Sequence, residues 1–239
     1  MPTSHAARHS PDPDVAAVAA LIGDPGRAAM LLALLGGHRL SAGDLALRGG
    51  VSPAAASAHL AKLVAGGLLR VERDGRHRLY DMAGPGVGRA LEALAAIAAP
   101  PKIVGLTQNV QAARLRAARS CYDHLAGRLG VAVSDALIAQ RFIGPTGERG
   151  FRITRRGRSF FLDFGIDLAA IEAGRRPVAR QCIDWSEHRT HIAGALGAEL
   201  RALCLARGWI ERFPGSRALR ITPSGSAAFE EYFGFQARG

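Results

Sequence analysis

Two cysteines and two histidines of this chain, side chains that bind soft cations, occur in two matching settings. Cys121 and His124 sit in Ala118-Arg119-Ser120-Cys121-Tyr122-Asp123-His124, directly before LAGRLG. Cys182 sits in Ala179-Arg180-Gln181-Cys182-Ile183-Asp184, followed by WSEHRT and then by His191 in HIAGALG. Thiols and imidazoles together suit a soft or borderline cation such as zinc, and two Cys-His pairs supply the four ligands of a tetrahedral site. Asp123, Asp184, Glu187 and His188 are near enough in sequence to join them or to form a second layer. Other readings stay open: a small-molecule pocket, a thiol redox switch, or buried cysteines acting as small hydrophobes beside packing and capping histidines. Neither a metal nor a cofactor is assigned by the sequence.

The two settings belong to an internal repeat. A-R-x-C-x-D recurs, H-[LI]-A-G-x-L-G recurs, and Ile153-Thr154-x-x-Gly157 recurs as Ile221-Thr222-x-x-Gly225. The matches keep their order, and both copies run on to a Phe-Gly pair, Phe164-Gly165 and Phe233-Gly234. Each copy reads as helix, glycine break, helix, hairpin, helix, which is a winged-helix pattern. Cys121 and His124 are expected on one face of a helix by their spacing, with Cys182 on the equivalent helix. Cys204 aligns with Leu137 and reads as core. Gly150 to Arg158, with Arg152, Arg155, Arg156 and Arg158, reads as a basic hairpin. It either touches phosphate or is a solvated face that pairs with Asp163 and Asp167.

The repeat must be positioned by something, and the first hundred residues supply it. Asp24-Pro25 opens a helix that carries Ala28, Leu31, Leu32, Leu34 and Leu35 and stops at Gly36-Gly37. Ser41 caps a short helix with Leu45 and Leu47. Ser52-Pro53 opens a third helix with Ala56, Leu60, Leu63 and Val64 on one face. Two alternating segments follow around Asp74-Gly75, a dipeptide typical of tight hairpins. Pro85 then starts a helix with Val87, Leu91, Leu94 and Ile97. Helix, short helix, helix and hairpin make a winged helix-turn-helix. The expected fold is mainly α with small β-hairpin wings: a winged helix-turn-helix followed by a duplicated winged-helix-like C-terminal region.

The stretch LSAGDLALRGGVSPAAASAHLAKLVAGGLLRVERDGRHRLYDM, residues 40–82, resembles the ArsR/SmtB bacterial repressors. The resemblance covers about residues 15–98. It implies a recognition helix over Ser52 to Val64, set in the major groove of double-stranded DNA. The outward residues would then be Ser52, Ala54, Ala55, Ala58 and Lys62, flanked by Ser57 and His59. The wing would offer Arg70, Arg73, Arg76, His77 and Arg78 to phosphate or to the minor groove. Three outward alanines can touch thymine methyls but make no bidentate base contact, so shape and phosphate contacts should carry more of the recognition. Members of that family sense metals through Cys-Val-Cys-Asp-Leu on the short helix, where this chain reads Ser41-Ala42-Gly43-Asp44-Leu45. Others use His and acidic residues on the helix after the wing, and residues 85–98 hold no His. Neither site carries over, which directs attention to the extension.

Composition and charge agree with this outline. The chain has 239 residues and a net charge of +11, of which residues 101–239 carry +9. Such an excess favours a polyanionic partner. An apolar share of 48% excludes whole-chain disorder. Three cysteines without a C-x-x-C pair argue against a disulfide framework and for a reducing cytoplasm. No apolar run approaches a membrane span, the first apolar stretch lacks a basic leader, and no membrane partner is expected. No nucleophile elbow, P-loop, dinucleotide fingerprint or H-E-x-x-H is present, so an enzyme is not expected.

The expected organisation is a loose tail over 1–12, a DNA-binding domain over 13–99, and an effector-sensing region over 100–239. The last comprises repeats at about 105–167 and 178–236, beyond the Pro100-Pro101 junction. The protein reads as a homodimeric, sequence-specific transcriptional regulator, a repressor released by a small-molecule or metal effector. The alternatives are a constitutive or architectural DNA-binding module and a thiol-redox-switched regulator.

Overall fold

The computed structural model describes residues 12–75, 77–99, 105–147 and 150–237. Residues 1–11, Arg76, and residues 100–104, 148–149 and 238–239 lie outside the described residues. Among the described residues, no single helix is long and apolar enough to cross a membrane.

The N-terminal elements are α1 (Val15–Ile22), α2 (Pro25–Leu34), β1 (Leu40–Ser41), α3 (Ala42–Gly49), α4 (Pro53–Ala65), β2 (Leu69–Asp74), β3 (His77–Met82) and α5 (Pro85–Ile97). Short polar side chains start the helices by satisfying free backbone N–H groups. Asp24 accepts from the Arg27 N–H at 2.9 Å. Ser41 and Asp44 form a reciprocal capping box. Ser52 accepts from the Ala55 N–H. The antiparallel order is β1-β3-β2. Asp74 pairs with His77, so Asp74 is the last residue of β2 rather than part of the turn that the Asp74-Gly75 dipeptide suggests. Met30, Leu31, Leu34, Leu45, Leu60, Leu63 and Met82 form the core. Leu47 (80% exposed), Leu94 and Ile97 (83% exposed) instead face outward. No residue of α1 is buried, although its sequence is VAAVAALI.

The C-terminal part comprises α6 (Leu106–Ala117), β4 (Arg119–Cys121), β5 (His124–Ala126), α7 (Gly127–Ala139), β6 (Ile143–Thr146), β7 (Gly150–Ile153), α8 (Arg155–Asp163), α9 (Leu168–Ala173), β8 (Arg180–Ile183), β9 (Thr190–Ala193), α10 (Gly194–Ala206), β10 (Ile210–Arg212), β11 (Leu219–Ile221) and α11 (Pro223–Phe233). Each copy is therefore hairpin, helix, hairpin, helix. The helices expected around Cys121 and Cys182 are strands. A spacing of i and i+3 fits one helical face, and it equally fits the two residues flanking a two-residue turn. Here Tyr122 and Asp123 form that turn, with Tyr122 at φ +58°, and Cys121 pairs directly with His124.

The duplication extends to the packing. Thr154 caps α8 through the Gly157 N–H and also donates to the Arg141 carbonyl. Thr222 caps α11 through the Gly225 N–H and donates to the Gly208 carbonyl. Helices α7 and α10 both start on a left-handed glycine, Gly127 at φ +74° and Gly194 at φ +88°. A Cβ at either would press on a backbone carbonyl, that of Arg116 or of Pro177, so only glycine fits.

The copies also exchange strands. The second hairpin of copy one continues into the first hairpin of copy two, giving the sheet β6-β7-β8-β9. The second hairpin of copy two meets the first of copy one through the Arg119–Ala218 bridge and the Ser120 N–H to Arg217 carbonyl bond. The core between them is strongly aromatic, with Phe142, Phe161, Phe164, Trp209, Phe229 and Phe233. An overall aromatic share of 6% suggests an aliphatic core, but all nine phenylalanines lie beyond residue 140.

Candidate functional site

The expected reading surface comprises α3, α4 and the wing. Burial of Ala56, Leu60 and Leu63 fixes the rotation of α4, and this leaves Ser52, Ala54, Ser57, Ala58 and Lys62 exposed and Ala55 half-buried. The Ser57 hydroxyl donates to the Pro53 carbonyl at 3.0 Å. His59 is half-buried and turned back onto α2, with Nδ1 3.3 Å from Arg27 and Nε2 3.8 Å from Asp24. It therefore braces the helix rather than extending from it. On the wing, Arg70 is held by Asp81 at 2.7 Å. Arg73 and Arg78 are cross-strand neighbours and exposed, without an ion pair among the described residues. Like charges placed directly opposite each other cost stability, and an anion between them relieves that cost. His77 lies at the start of β3, beside Arg76.

The basic segment after residue 150 is not simply a hairpin. Arg152 is on β7, while Arg155, Arg156 and Arg158 occupy the first turns of α8. Arg158 pairs with Glu172 at 2.5 Å, not with Asp163 or Asp167. Arg156 lies over the Phe142 ring.

The four Cys and His residues converge. Cross-strand partners point to the same side of a hairpin. Cys121 pairs with His124, and Cys182 pairs with His191. The strand exchange brings the two hairpins face to face, so that the four donor atoms lie within 4.8 Å of one another. The two Sγ atoms are 3.8 Å apart and the two Nε2 atoms 3.1 Å apart. Cys121, His124 and His191 are buried, and Cys182 is partly accessible.

The A-R-x-C-x-D pattern supplies the next layer. Asp123 lies 3.2 Å from His124 Nδ1, and Asp184 lies 3.7 Å from His191 Nδ1. Each carboxylate thus stands behind an imidazole whose Nε2 faces the cluster. Asp184 is also a structural hub. It is 2.9 Å from Arg119, both side chains being fully buried, and it accepts the Gly127 N–H at 2.6 Å. Glu187 is drawn into the same turn through its N–H to Asp184. His188 instead borders a separate cleft with Leu91 and Leu94. Arg119 and its pairing with Asp184 were not singled out from the sequence, although the repeated Arg of A-R-x-C-x-D was their signal.

Charge is unevenly distributed in the cluster. The Cys182 thiol is held well below the usual thiol range, first by a hydrogen bond from Cys121 and then by the two imidazoles. Cys121 is pushed well up by the same bond and by burial. Burial disfavours the charged form of His124, but Asp123 and Cys182 outweigh it and raise its pKa. Burial likewise opposes ionisation of Asp123, yet His124 and Arg176 bring it down to about 2. Burial pushes the Cys204 thiol up to about 12, as suits a core residue.

A cavity of about 250 Å³ leads to the cluster between Arg176, Pro177 and Arg180 on one side and Pro85, Gly88, Arg89 and Glu92 of α5 on the other. A Cβ on Gly88 would strike the Tyr122 ring, so the turn joining Cys121 to His124 sits directly on α5.

Residues 23–78 match the MarR family. Over 221 residues the chain is 40% identical to the uncharacterized HTH-type transcriptional regulator YdfF of Bacillus subtilis (strain 168), covering 92% of this chain and 97% of that protein. That alignment runs through both parts of the chain. Among solved structures, NolR from Sinorhizobium fredii is 32% identical, over 34% of this chain and 81% of its own, with a TM-score of 0.32. HlyU from Vibrio cholerae N16961 is 28% identical, over 33% and 85%, with a TM-score of 0.31.

Proposed function

Since the chain belongs to the family of helix-turn-helix transcriptional regulators that includes YdfF, we propose that it is a homodimeric, sequence-specific repressor controlled by an effector bound in its C-terminal part. Residues 13–99 act as the DNA-binding domain and residues 100–239 as the sensor. The observation that carries this reading is the position of α5, which closes the DNA-binding domain and also forms one wall of the cavity over the Cys-His cluster.

Direct base contact falls to Ser52, Ala54, Ala55, Ser57, Ala58 and Lys62, with His59 as a brace. Phosphate contact falls to Arg73, Arg76, His77 and Arg78. The resemblance of residues 40–82 to ArsR/SmtB repressors supports repression as the sign of control. Dimerisation is supported by α1, of which Val15 to Ala20 are exposed, together with exposed Leu94 and Ile97 on α5. An effector changes DNA affinity only if it prefers one of the two states. The protein works in the cytoplasm, where its three free thiols persist, and it acts by binding rather than by catalysis.

The test is selection of a binding site from a random DNA pool with the full-length protein, followed by affinity measurement against salt and sedimentation of the complex. The expected result is a palindromic site, two chains per duplex and an affinity that falls steeply with salt. A monomer, or the absence of salt-dependent binding, overturns the reading.

A further inference from the structure

We propose that Cys121, His124, Cys182 and His191 form a tetrahedral site for one zinc-class ion, and that this ion is the effector read by α5. The second half rests on effector control as proposed above; the first half stands independently.

The distances support it. With Zn–S near 2.3 Å and Zn–N near 2.0–2.1 Å, a tetrahedral ion sets its sulfurs about 3.8 Å apart and its nitrogens about 3.3 Å apart. The protein already places the sulfurs at 3.8 Å and the nitrogens at 3.1 Å. The set of two thiols and two imidazoles selects zinc over the oxygen-preferring Mg²⁺ and Ca²⁺.

The second layer has the right form. Imidazoles that ligate metals usually turn their other nitrogen toward a carboxylate or carbonyl. Asp123 and Asp184 stand behind His124 and His191, and both come from the same repeated motif. Asp123 is within hydrogen-bond distance of His124 Nδ1, whereas His191 Nδ1 makes no hydrogen bond and lies 3.7 Å from Asp184. Two imidazole nitrogens 3.1 Å apart are at a separation that one shared proton or cation bridges.

The site also has a route to the reader. Its longest donor–donor separation, 4.8 Å, must shorten by roughly 1 Å around a tetrahedral ion. The Cys121–His124 turn supplies two of the four donors, so drawing the set around an ion acts on that turn. The turn carries Tyr122, which sits on Gly88 of α5 with no room for a methyl group between them. A shift of the turn therefore reaches α5 directly.

The experiment uses full-length protein stripped with a chelator and then equilibrated with Zn²⁺ or Co²⁺. One ion per chain is expected, and the Co²⁺ form should show the visible bands of a tetrahedral centre together with thiolate charge transfer. Cys182→Ser and His191→Gln should each weaken zinc by at least about 100-fold, and Asp123→Asn by about 10- to 100-fold, with circular dichroism confirming the fold. A folded wild type that retains no ion, or a Cys121→Ser, Cys182→Ser double variant that binds as tightly as wild type, overturns the site. For the effector half, a selected DNA site is titrated with stripped and zinc-loaded protein. A difference of about 5- to 150-fold is expected. Equal affinity overturns the effector role. Failure of both forms to bind DNA would instead overturn the repressor reading, and the metal stoichiometry would stand apart from it.

Discussion

Arg217 of the second repeat reaches Glu92 of α5 at 2.5 Å, and both side chains are largely shielded from water. With Arg201, which donates to the Gly36 carbonyl at 3.3 Å and to the Ser120 hydroxyl, it fastens the DNA-binding domain to the repeat. Breaking a buried ion pair by removing one partner leaves the other charge stranded, at a cost of about 3–5 kcal/mol. Glu92→Gln should therefore lower thermal stability and loosen the junction. Calorimetry should show the single transition broadening or splitting, and an unchanged transition would mean that the pair does not couple the two parts.

Arg73 and Arg78 of the wing lie opposite each other, without an ion pair among the described residues. Arg73→Ala and Arg78→Ala should each weaken binding to all sequences alike and reduce the salt slope by about 1. His59→Gln should change affinity by loosening α4 from Arg27 and Asp24, with little change in base preference. Fluorescence anisotropy across a salt series, with matched and mismatched duplexes, separates these outcomes.

The cysteines should differ in reactivity. Cys182 is partly accessible and held as thiolate, whereas Cys121 and Cys204 are buried with raised values. A thiolate is the reactive form. Iodoacetamide should modify Cys182 first, as read by peptide mass spectrometry, and Zn²⁺ should slow that reaction. Equal labelling of all three would contradict this charge distribution.

Two groups act in opposite pH directions. Burial opposes ionisation of Asp184, but Arg119 and Ser186 outweigh it and hold the carboxylate below its ordinary range. A depressed carboxylate stabilises the fold above its unfolded value and loses that contribution as pH falls through the folded value. Asp184→Asn should lower stability at pH 7 and flatten the acid limb. His124 is raised, so its contribution is full below about 6.5 and fades as pH rises through the folded value. Zinc needs the neutral imidazole and ionised thiols, so its apparent affinity should rise with pH. Denaturant midpoints and competitive chelation against pH check both signs.

The DNA-binding domain was legible because its signals are local. Asp24, Ser41 and Ser52 announce helix starts, and each does cap a helix. The repeat was legible as a repeat, and its four soft-ligand residues stood out by type. The form of the first hairpin was not legible, because Cys121 and His124 sit at a spacing that helix and tight turn share. What decides between them is the pairing of one copy with the other, a contact between residues about a hundred positions apart, Arg119 with Ala218. The outward turn of Leu47 and Ile97 was hidden for a similar reason. Their helices are apolar on more sides than one small domain can cover.

The strand exchange has a consequence for how the chain reaches its native state. Neither copy closes its own sheet, so neither is a folding unit, and a polypeptide ending near residue 175 would leave β6-β7 with an open edge where β8 should pair. Such edges attract other chains. During synthesis the first copy must wait for the last strands to emerge before it is sealed. Contacts this distant in sequence slow folding, and the chain is most exposed to self-association in that interval. Once formed, the interlock binds both halves of the Cys-His cluster to one cooperative event: the cluster is complete only in a molecule whose two copies have both arrived.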